Sequence, residues 1–221
     1  MTKLLRNKTI LVTAGPTWVA IDKVRVITNI FSGKLGLIIA ETAQKMGANV
    51  MFMLGPGRIS VPKNKKIKML RFRYFDDLLN LINKHIKPGK FDAIIHSAAV
   101  SDYMPLPSKE KKIKSGKKNL VIRFKPTIKI VDLIRKIDPK TFLVKFKLEV
   151  GLSEKELVDV AYNSMLQSRA NLMVANDFEM AAVEEKDHKA FIINPEKNIQ
   201  AVKGKENIAL NLLKIVATNI K

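Results

Sequence analysis

The chain has 221 residues, 47% of them hydrophobic, which leaves room for one domain with a sizeable core. It has no cysteine, which excludes disulfides, thiolate catalysis and zinc sites with Cys ligands, and His85, His96 and His188 are too scattered to read as a cluster. A formal charge of +20 is compatible with a nucleic-acid partner, with steering of anionic substrates, or with a plain lysine bias, while 6% aromatics disfavour a base-stacking surface.

The N-terminus, MTKLLRNKT, leads straight into a strand with no apolar leader. No apolar run reaches the ~18 residues that span a bilayer, so the expectation is a cytoplasmic protein. Thr9–Ala14 reads as a buried strand, followed by a Gly15-Pro16 turn and a long polar loop. Ser32 is the expected N-cap of a helix whose face carries Leu35, Ile38, Ile39, Ala43 and Met46, and Gly47 ends it. Asn49–Leu54 and Ile67–Phe72 are the next strands, then a helix from Asp76 or Asp77 through His85, broken by Pro88-Gly89. Phe91–Ser97 is a continuous apolar strand. Thr141–Leu148 and Leu172–Ala175 are further strands, separated by a helix from Ser153 to about Gln167. Ala190–Ile193 and Ile199–Val202 read as a hairpin around Asn194-Pro195, and Glu206–Ile220 as a closing helix. The alternation predicts a doubly wound, mostly parallel α/β sheet (Rossmann-like) in a single domain over residues 1–221. An extended arm at about 103–125 interrupts it, with Pro105, Pro107, six lysines in 109–118 and a strand-like alternation over Asn119–Lys125.

Neither common phosphate fingerprint, G-x-G-x-x-G or G-x-x-x-x-G-K-[ST], is present. Instead Gly15 and Gly33 lie eighteen positions apart, and Ser32-Gly33-Lys34 stands at a helix entrance, where free backbone N–H groups can meet an anion. The ordered blocks are Thr13-Ala14-Gly15-Pro16-Thr17, Ile21-Asp22-Lys23-Val24-Arg25, Asn29, Ser32-Gly33-Lys34-Leu35-Gly36, Ala98-Ala99-Val100-Ser101-Asp102-Tyr103, Lys112-Ile113-Lys114, Pro126-Thr127, Phe146 with Glu149, and Val174-Ala175-Asn176-Asp177. In this order they resemble the phosphopantothenate–cysteine ligase (phosphopantothenoylcysteine synthetase) family.

The resemblance implies joining of 4′-phosphopantothenate to L-cysteine in coenzyme A biosynthesis. The carboxylate attacks the nucleotide's α-phosphorus, pyrophosphate leaves, and the cysteine amine attacks the acyl-nucleotide anhydride. Both steps build charge on oxygen, which calls for fixed donors and cations rather than a protein nucleophile. Mg²⁺ would ride on the CTP or ATP, with no protein ligand assigned to it. The implied catalytic residues are Asn29, matching the asparagine that holds the acyl-nucleotide, and Lys112 on a mobile flap. Nucleotide contacts fall to Gly15, Ser32, Gly33, Ala98, Ala99, Asp102, Lys112, Ile128, Phe146 and Asn176, and substrate contacts to Asn29, Arg25 and Lys114. Each has a plainer reading. Asn29 and Asp102 are turn formers, Ser32 a cap, Phe146 a core residue, and the lysine loop a solvated charge run.

The chain also departs from the family. The bacterial Pro-Asp-Ile block is Ile128-Lys129-Ile130 here, and two triphosphate-binding lysines of the CTP-using members align with Ser164 and Ser168. Lys145, Lys147 or Arg169 are candidates to compensate. The N-terminal block favours CTP over ATP. The flavin-dependent decarboxylase often fused ahead of bacterial members has no room here, so a stand-alone synthetase without FMN is expected. By resemblance, the chain forms a homodimer through the arm region.

Two other readings compete. A short-chain oxidoreductase would need a Tyr-x-x-x-Lys pair, but four positions beyond Tyr103 is Pro107, and no acid ends the second strand, where Leu54-Gly55 stands. A nucleic-acid-binding module rests on the +20 charge alone.

Overall fold

The computed structural model describes residues 3–57, 59, 66–106, 112–116, 118–177 and 188–220. In chain order the strands and helices are β1 (Thr9–Ala14), β2 (Trp18–Ala20), β3 (Val26–Thr28), α1 (Lys34–Lys45), β4 (Asn49–Leu54), β5 (Ile67–Arg71), α2 (Phe75–His85), β6 (Ala93–His96), β7 (Tyr103–Leu106) and β8 (Arg123–Pro126). They continue as α3 (Ile130–Ile137), β9 (Phe142–Glu149), α4 (Glu154–Gln167), β10 (Leu172–Asp177), β11 (Lys189–Ile193), β12 (Ile199–Lys203) and α5 (Lys205–Asn219).

Eight strands form one sheet in the order β12-β11-β10-β9-β6-β1-β4-β5. The pairs from β5 to β10 are parallel, and β11 and β12 add on antiparallel. The central strands read as unbroken apolar runs because helices cover both their faces. Alternate residues go to opposite sides. Ile10, Val12, Phe52, Ile95, Val144 and Val174 pack with Ile39 and Ala43 of α1 and Leu212 and Val216 of α5. Leu11, Met53, Ile94, Leu143 and Met173 pack with Leu78 of α2, Ile134 of α3 and Ala161 of α4. This is the expected doubly wound three-layer fold.

Chain order turns around at β1, whose two neighbours are β4 on one side and β6 on the other. Such a switch point opens a crevice at the carboxyl ends of the strands, because the connections on either side leave in opposite directions.

Several local expectations are corrected. The supposed long loop after β1 contains the antiparallel pair β2–β3, with Trp18 opposite Thr28; three-residue strands are too short to show a period. Ser32 is not the N-cap of α1. That position belongs to Gly33, in the left-handed region at φ 83°, and Ser32 Oγ accepts from the Lys34 N–H at 3.3 Å. Helix α2 starts at Phe75 rather than at Asp76 or Asp77, because Asp77 caps it from inside: its Oδ2 accepts from Arg73 N at 3.0 Å and Tyr74 N at 2.9 Å. Helix α3 was not foreseen at all, though Ile130, Val131 and Ile134 make its buried stripe. In the arm, β7 pairs antiparallel with β8, Tyr103 opposite Pro126, so the second strand lies over Arg123–Pro126 rather than Asn119–Lys125. Part of the lysine-rich loop, residues 107–111 and 117, lies outside the described residues.

Candidate functional site

The switch point holds a cavity of about 830 Å³. Its walls come from the loops after β1 and β6, the start of α1, the outer half of β9, Asn176 near the end of β10 and the inner face of α4.

Glycines let α1 begin against the end of β1. A Cβ on Gly33 would sit 2.7 Å from Gly15 N and 2.9 Å from Gly15 Cα, and one on Gly36 would sit 2.4 Å from Ala14 Cβ. Only hydrogen atoms fit in those gaps, so the first turn of α1 lies directly on the strand end. Ser32, Gly33 and Lys34 therefore line the cavity, where the N-terminal end of the helix dipole favours an anion.

The loops after β1 and β6 are laced together. Ala99 N donates to Gly15 O at 3.0 Å, and Ala99 O accepts from Thr17 N at 3.2 Å. The same carbonyl accepts from Asn29 Nδ2 at 2.9 Å. Ser97 Oγ donates to Thr13 O at 2.8 Å, and Ser101 N donates to Thr17 Oγ1 at 2.9 Å. These bonds fix Ala98 and Ala99, whose small side chains leave the backbone approachable.

Charged groups cluster in the same walls. Lys129 Nζ and Asp102 Oδ1 are 2.5 Å apart, so the lysine that replaces the family's aspartate is matched by an acid across the cavity mouth. Lys147 pairs with Glu149 at 2.9 Å. Lys145 Nζ donates to Ser164 O at 3.0 Å, Ser164 Oγ at 2.9 Å and Ser168 Oγ at 2.7 Å. Burial holds its ammonium below the usual lysine range, opposed by the Asp132 carboxylate. His96, at the end of β6, shares a 2.8 Å hydrogen bond between its Nδ1 and Thr13 Oγ1. Burial first, and then Lys145 on the neighbouring strand, lower its pKa to about 4, so the ring is neutral at neutral pH. Among the described residues no three His, Asp or Glu side chains gather as a metal cage.

The profile of the family described as "DNA/pantothenate metabolism flavoprotein C-terminal domain" matches residues 5–220. The chain belongs to this family. The resemblance read from the sequence motifs stands. The chain is 38% identical over 185 residues to the coenzyme A biosynthesis bifunctional protein CoaBC of Thermococcus kodakarensis, a match covering 84% of this chain and 45% of that protein. It thus spans about half the length of the curated relatives it matches. Among solved structures, the DNA/pantothenate metabolism flavoprotein of Streptococcus pneumoniae superposes with a TM-score of 0.87 at 31% identity, covering 96% of this chain and 99% of that one. The C-terminal domain of a CoaBC protein superposes at 0.80 with 26% identity, covering 99% and 98%.

In this member of the family, the sequence-predicted residues divide into two groups. Gly15, Asn29, Ser32, Gly33, Ala98, Ala99, Asp102, Ile128, Phe146 and Asn176 all line the one cavity. Arg25, Lys112 and Lys114 do not. Arg25 pairs with Asp22 at 3.3 Å in the β2–β3 turn. Ile113 is buried and its N–H donates to Asp22 Oδ2 at 3.0 Å, while Lys112 and Lys114 on either side are exposed. Sequence reasoning missed His96 and Asp132 as cavity residues, and read Lys129 only as a departure. The signal for His96 was its place at the end of a buried strand, just before the Ser97-Ala98-Ala99 turn.

Proposed function

We propose that this chain joins 4′-phosphopantothenate to L-cysteine through an acyl-nucleotide, giving 4′-phosphopantothenoylcysteine for coenzyme A. The observation that carries this reading is the convergence of ten motif residues from separate blocks on one cavity, in a member of this family. The names of the relatives, coenzyme A biosynthesis bifunctional proteins, support the same pathway.

The chemistry runs in two balanced steps. A carboxylate oxygen of the acid attacks the α-phosphorus, the bond to the β-phosphate oxygen breaks, and pyrophosphate departs. The cysteine amine then attacks the acyl carbon, the nucleoside monophosphate leaves, and the amine loses a proton. Asn29 is suited to orient the acyl-nucleotide: its amide is already anchored on Ala99 and still has one N–H and an oxygen to offer. The start of α1, with Ser32 and Gly33, supplies donors for phosphoryl oxygens. Phe146 and Ile128 offer apolar surface to the base. Mg²⁺ would ride on the nucleotide and neutralise triphosphate charge; among the described residues the carboxylates lining the cavity are Asp102 and Asp132. CTP is the favoured donor and ATP the alternative.

A homodimer through the arm is part of this reading. Tyr103, Leu106, Val121 and Phe124 in and around β7–β8 are exposed apolar residues that a second copy could cover.

The test is pyrophosphate release from purified protein with 4′-phosphopantothenate and Mg²⁺, with CTP or ATP, with and without cysteine. Cysteine-dependent turnover with one nucleotide is expected. No release with either, from folded protein, overturns the ligase reading and leaves the +20 charge to be tested by a salt titration of nucleic-acid binding.

A further inference from the structure

Thr13 and His96 lie side by side on the adjacent parallel strands β1 and β6. Their 2.8 Å contact, Thr13 Oγ1 to His96 Nδ1, can be made with either atom as the donor. The Thr13 hydroxyl decides which. Thr13 is fully buried, and its Oγ1 already accepts from the Ala98 N–H at 3.4 Å. Its single hydrogen needs an acceptor, and among the described residues His96 Nδ1 is the one it has. A buried hydroxyl hydrogen left unmet is costly, so Thr13 donates, Nδ1 accepts, and the proton of the neutral ring sits on Nε2.

That N–H opens on the cavity. His96 is 8% exposed and lines the cavity wall. Among the described residues the only unpartnered side-chain polar atom shut away from solvent is Arg135 Nε, so His96 Nε2, which has no partner either, is reachable from the cavity. The same network resists protonation. A second proton would enter at Nδ1 and turn the Thr13 hydroxyl away from its acceptor. It would also set a positive ring beside Lys145, the cross-strand neighbour on β9. The ring is therefore an uncharged donor toward the cavity, with no lone pair there to act as a base.

We infer that the His96 Nε2–H is an oxyanion donor for the acyl oxygen during attack by the cysteine amine, and that Thr13 fixes its tautomer. This rests on the ligase reading. The acyl oxygen is neutral in the anhydride and gains charge only as the amine adds. An uncharged donor therefore binds it little in the ground state and strongly in the transition state. The place agrees: His96 lies three residues before Ala99, whose carbonyl anchors the Asn29 amide. The amine lone pair forms the C–N bond while the C=O π pair moves onto oxygen. That pair then returns, the bond from the acyl carbon to the phosphate oxygen breaks, and the nucleoside monophosphate leaves with its electrons. The amine proton passes to water, and His96 keeps its own proton throughout. Thr13 is a positioning residue, acting through the ring.

Two experiments on the full chain test it, the first without ligand. A nitrogen-15 NMR spectrum of the ring at neutral pH is expected to show the proton on Nε2. Thr13→Val, which removes the donor to Nδ1, should let the two tautomers mix. A proton on Nδ1 in the unaltered chain overturns the assignment.

The second experiment separates the chemical steps in single turnover. Pyrophosphate released from 4′-phosphopantothenate and nucleotide before cysteine is added reports the first step, and product formed after its addition reports the second. His96→Leu is expected to slow the second step by about 100-fold and to leave the first nearly unchanged. His96→Gln keeps an N–H donor and should recover part of the loss. Should His96→Leu not fold, Thr13→Val decides, because it keeps the ring and should slow the second step alone. Equal slowing of both steps, or of neither, in a folded variant overturns the role of His96. No pyrophosphate release by the unaltered chain overturns the ligase reading and this role with it, whereas a ring protonated on Nδ1 overturns this inference alone.

Discussion

Asn29 and Ala99 stand seventy positions apart in the chain, and the Asn29 side-chain amide donates to the Ala99 carbonyl at 2.9 Å. That bond joins the segment after β3 to the loop after β6, and it sets the direction in which the rest of the Asn29 amide faces.

Asn29→Asp should remove this bond and replace it with repulsion. A carboxylate cannot donate to a carbonyl, and it would also oppose phosphoryl oxygens in the cavity. Product formation is expected to fall by at least about 100-fold, in the range seen when a preorganised donor is lost. Chromatographic assay of 4′-phosphopantothenoylcysteine checks it. Normal amide formation by a folded Asn29→Asp variant would remove Asn29 from the mechanism.

Gly33→Ala should damage the junction of β1 and α1. Its φ of 83° costs a non-glycine residue roughly 1–2 kcal/mol, and the new Cβ would press to 2.7 Å on Gly15 N. A fall in melting temperature of about 5 °C or more is expected by calorimetry. An unchanged transition would show that the junction adapts freely.

Asp22 ties the lysine-rich loop to the β2–β3 turn. Backbone hydrogen bonds, first that from Ile113 and then that from Val24, hold its carboxyl below the ordinary value of 3.8. A depressed carboxylate pKa adds stability that is complete above that ordinary value and is lost as pH falls through the lower folded one. Asp22→Asn should therefore melt lower than the unaltered chain at neutral pH, with the difference closing below about pH 4. Exchange of the Ile113 amide, followed by NMR, should speed up in the variant. Identical exchange would mean that the loop is held by other contacts.

His96 should titrate near 4 rather than 6.5 in an NMR pH series. Its neutral form is the one the fold accepts, so the unfolded chain takes up a proton first as pH falls. Stability is then unaffected above about 6.5 and declines between 6.5 and 4. His96→Gln should lack that part of the decline. A midpoint close to 6.5 would mean that water reaches the ring.

The strand pattern was legible because burial on two faces leaves a strong mark: β1 and β4 begin and end where the apolar runs Thr9–Ala14 and Asn49–Leu54 do. The motif residues of the cavity were legible too, since close backbone approach demands small residues such as Gly15, Gly33, Ala98 and Ala99, and these are visible in any reading of the chain. Helix α3, by contrast, sat in a block read for its departures rather than for its period. Ser32 and Gly33 could not be told apart as caps, because both residue types favour that position and only the backbone angle decides.

By itself, then, the sequence determined the class of fold, the order of layers and the identity of the blocks that meet at the switch point, all of which follow from local periodicity and residue size. What only the tertiary structure decided is which charges face one another. Lys129 meets Asp102, Lys145 reaches Ser164 and Ser168 on the helix beside its strand, and Asp22 takes the Ile113 N–H rather than leaving Lys112 and Lys114 to the cavity. Those pairings join residues 19 to 91 positions apart, and electrostatic partners at such separations are chosen by the packing of the sheet and not by anything written near them in the chain.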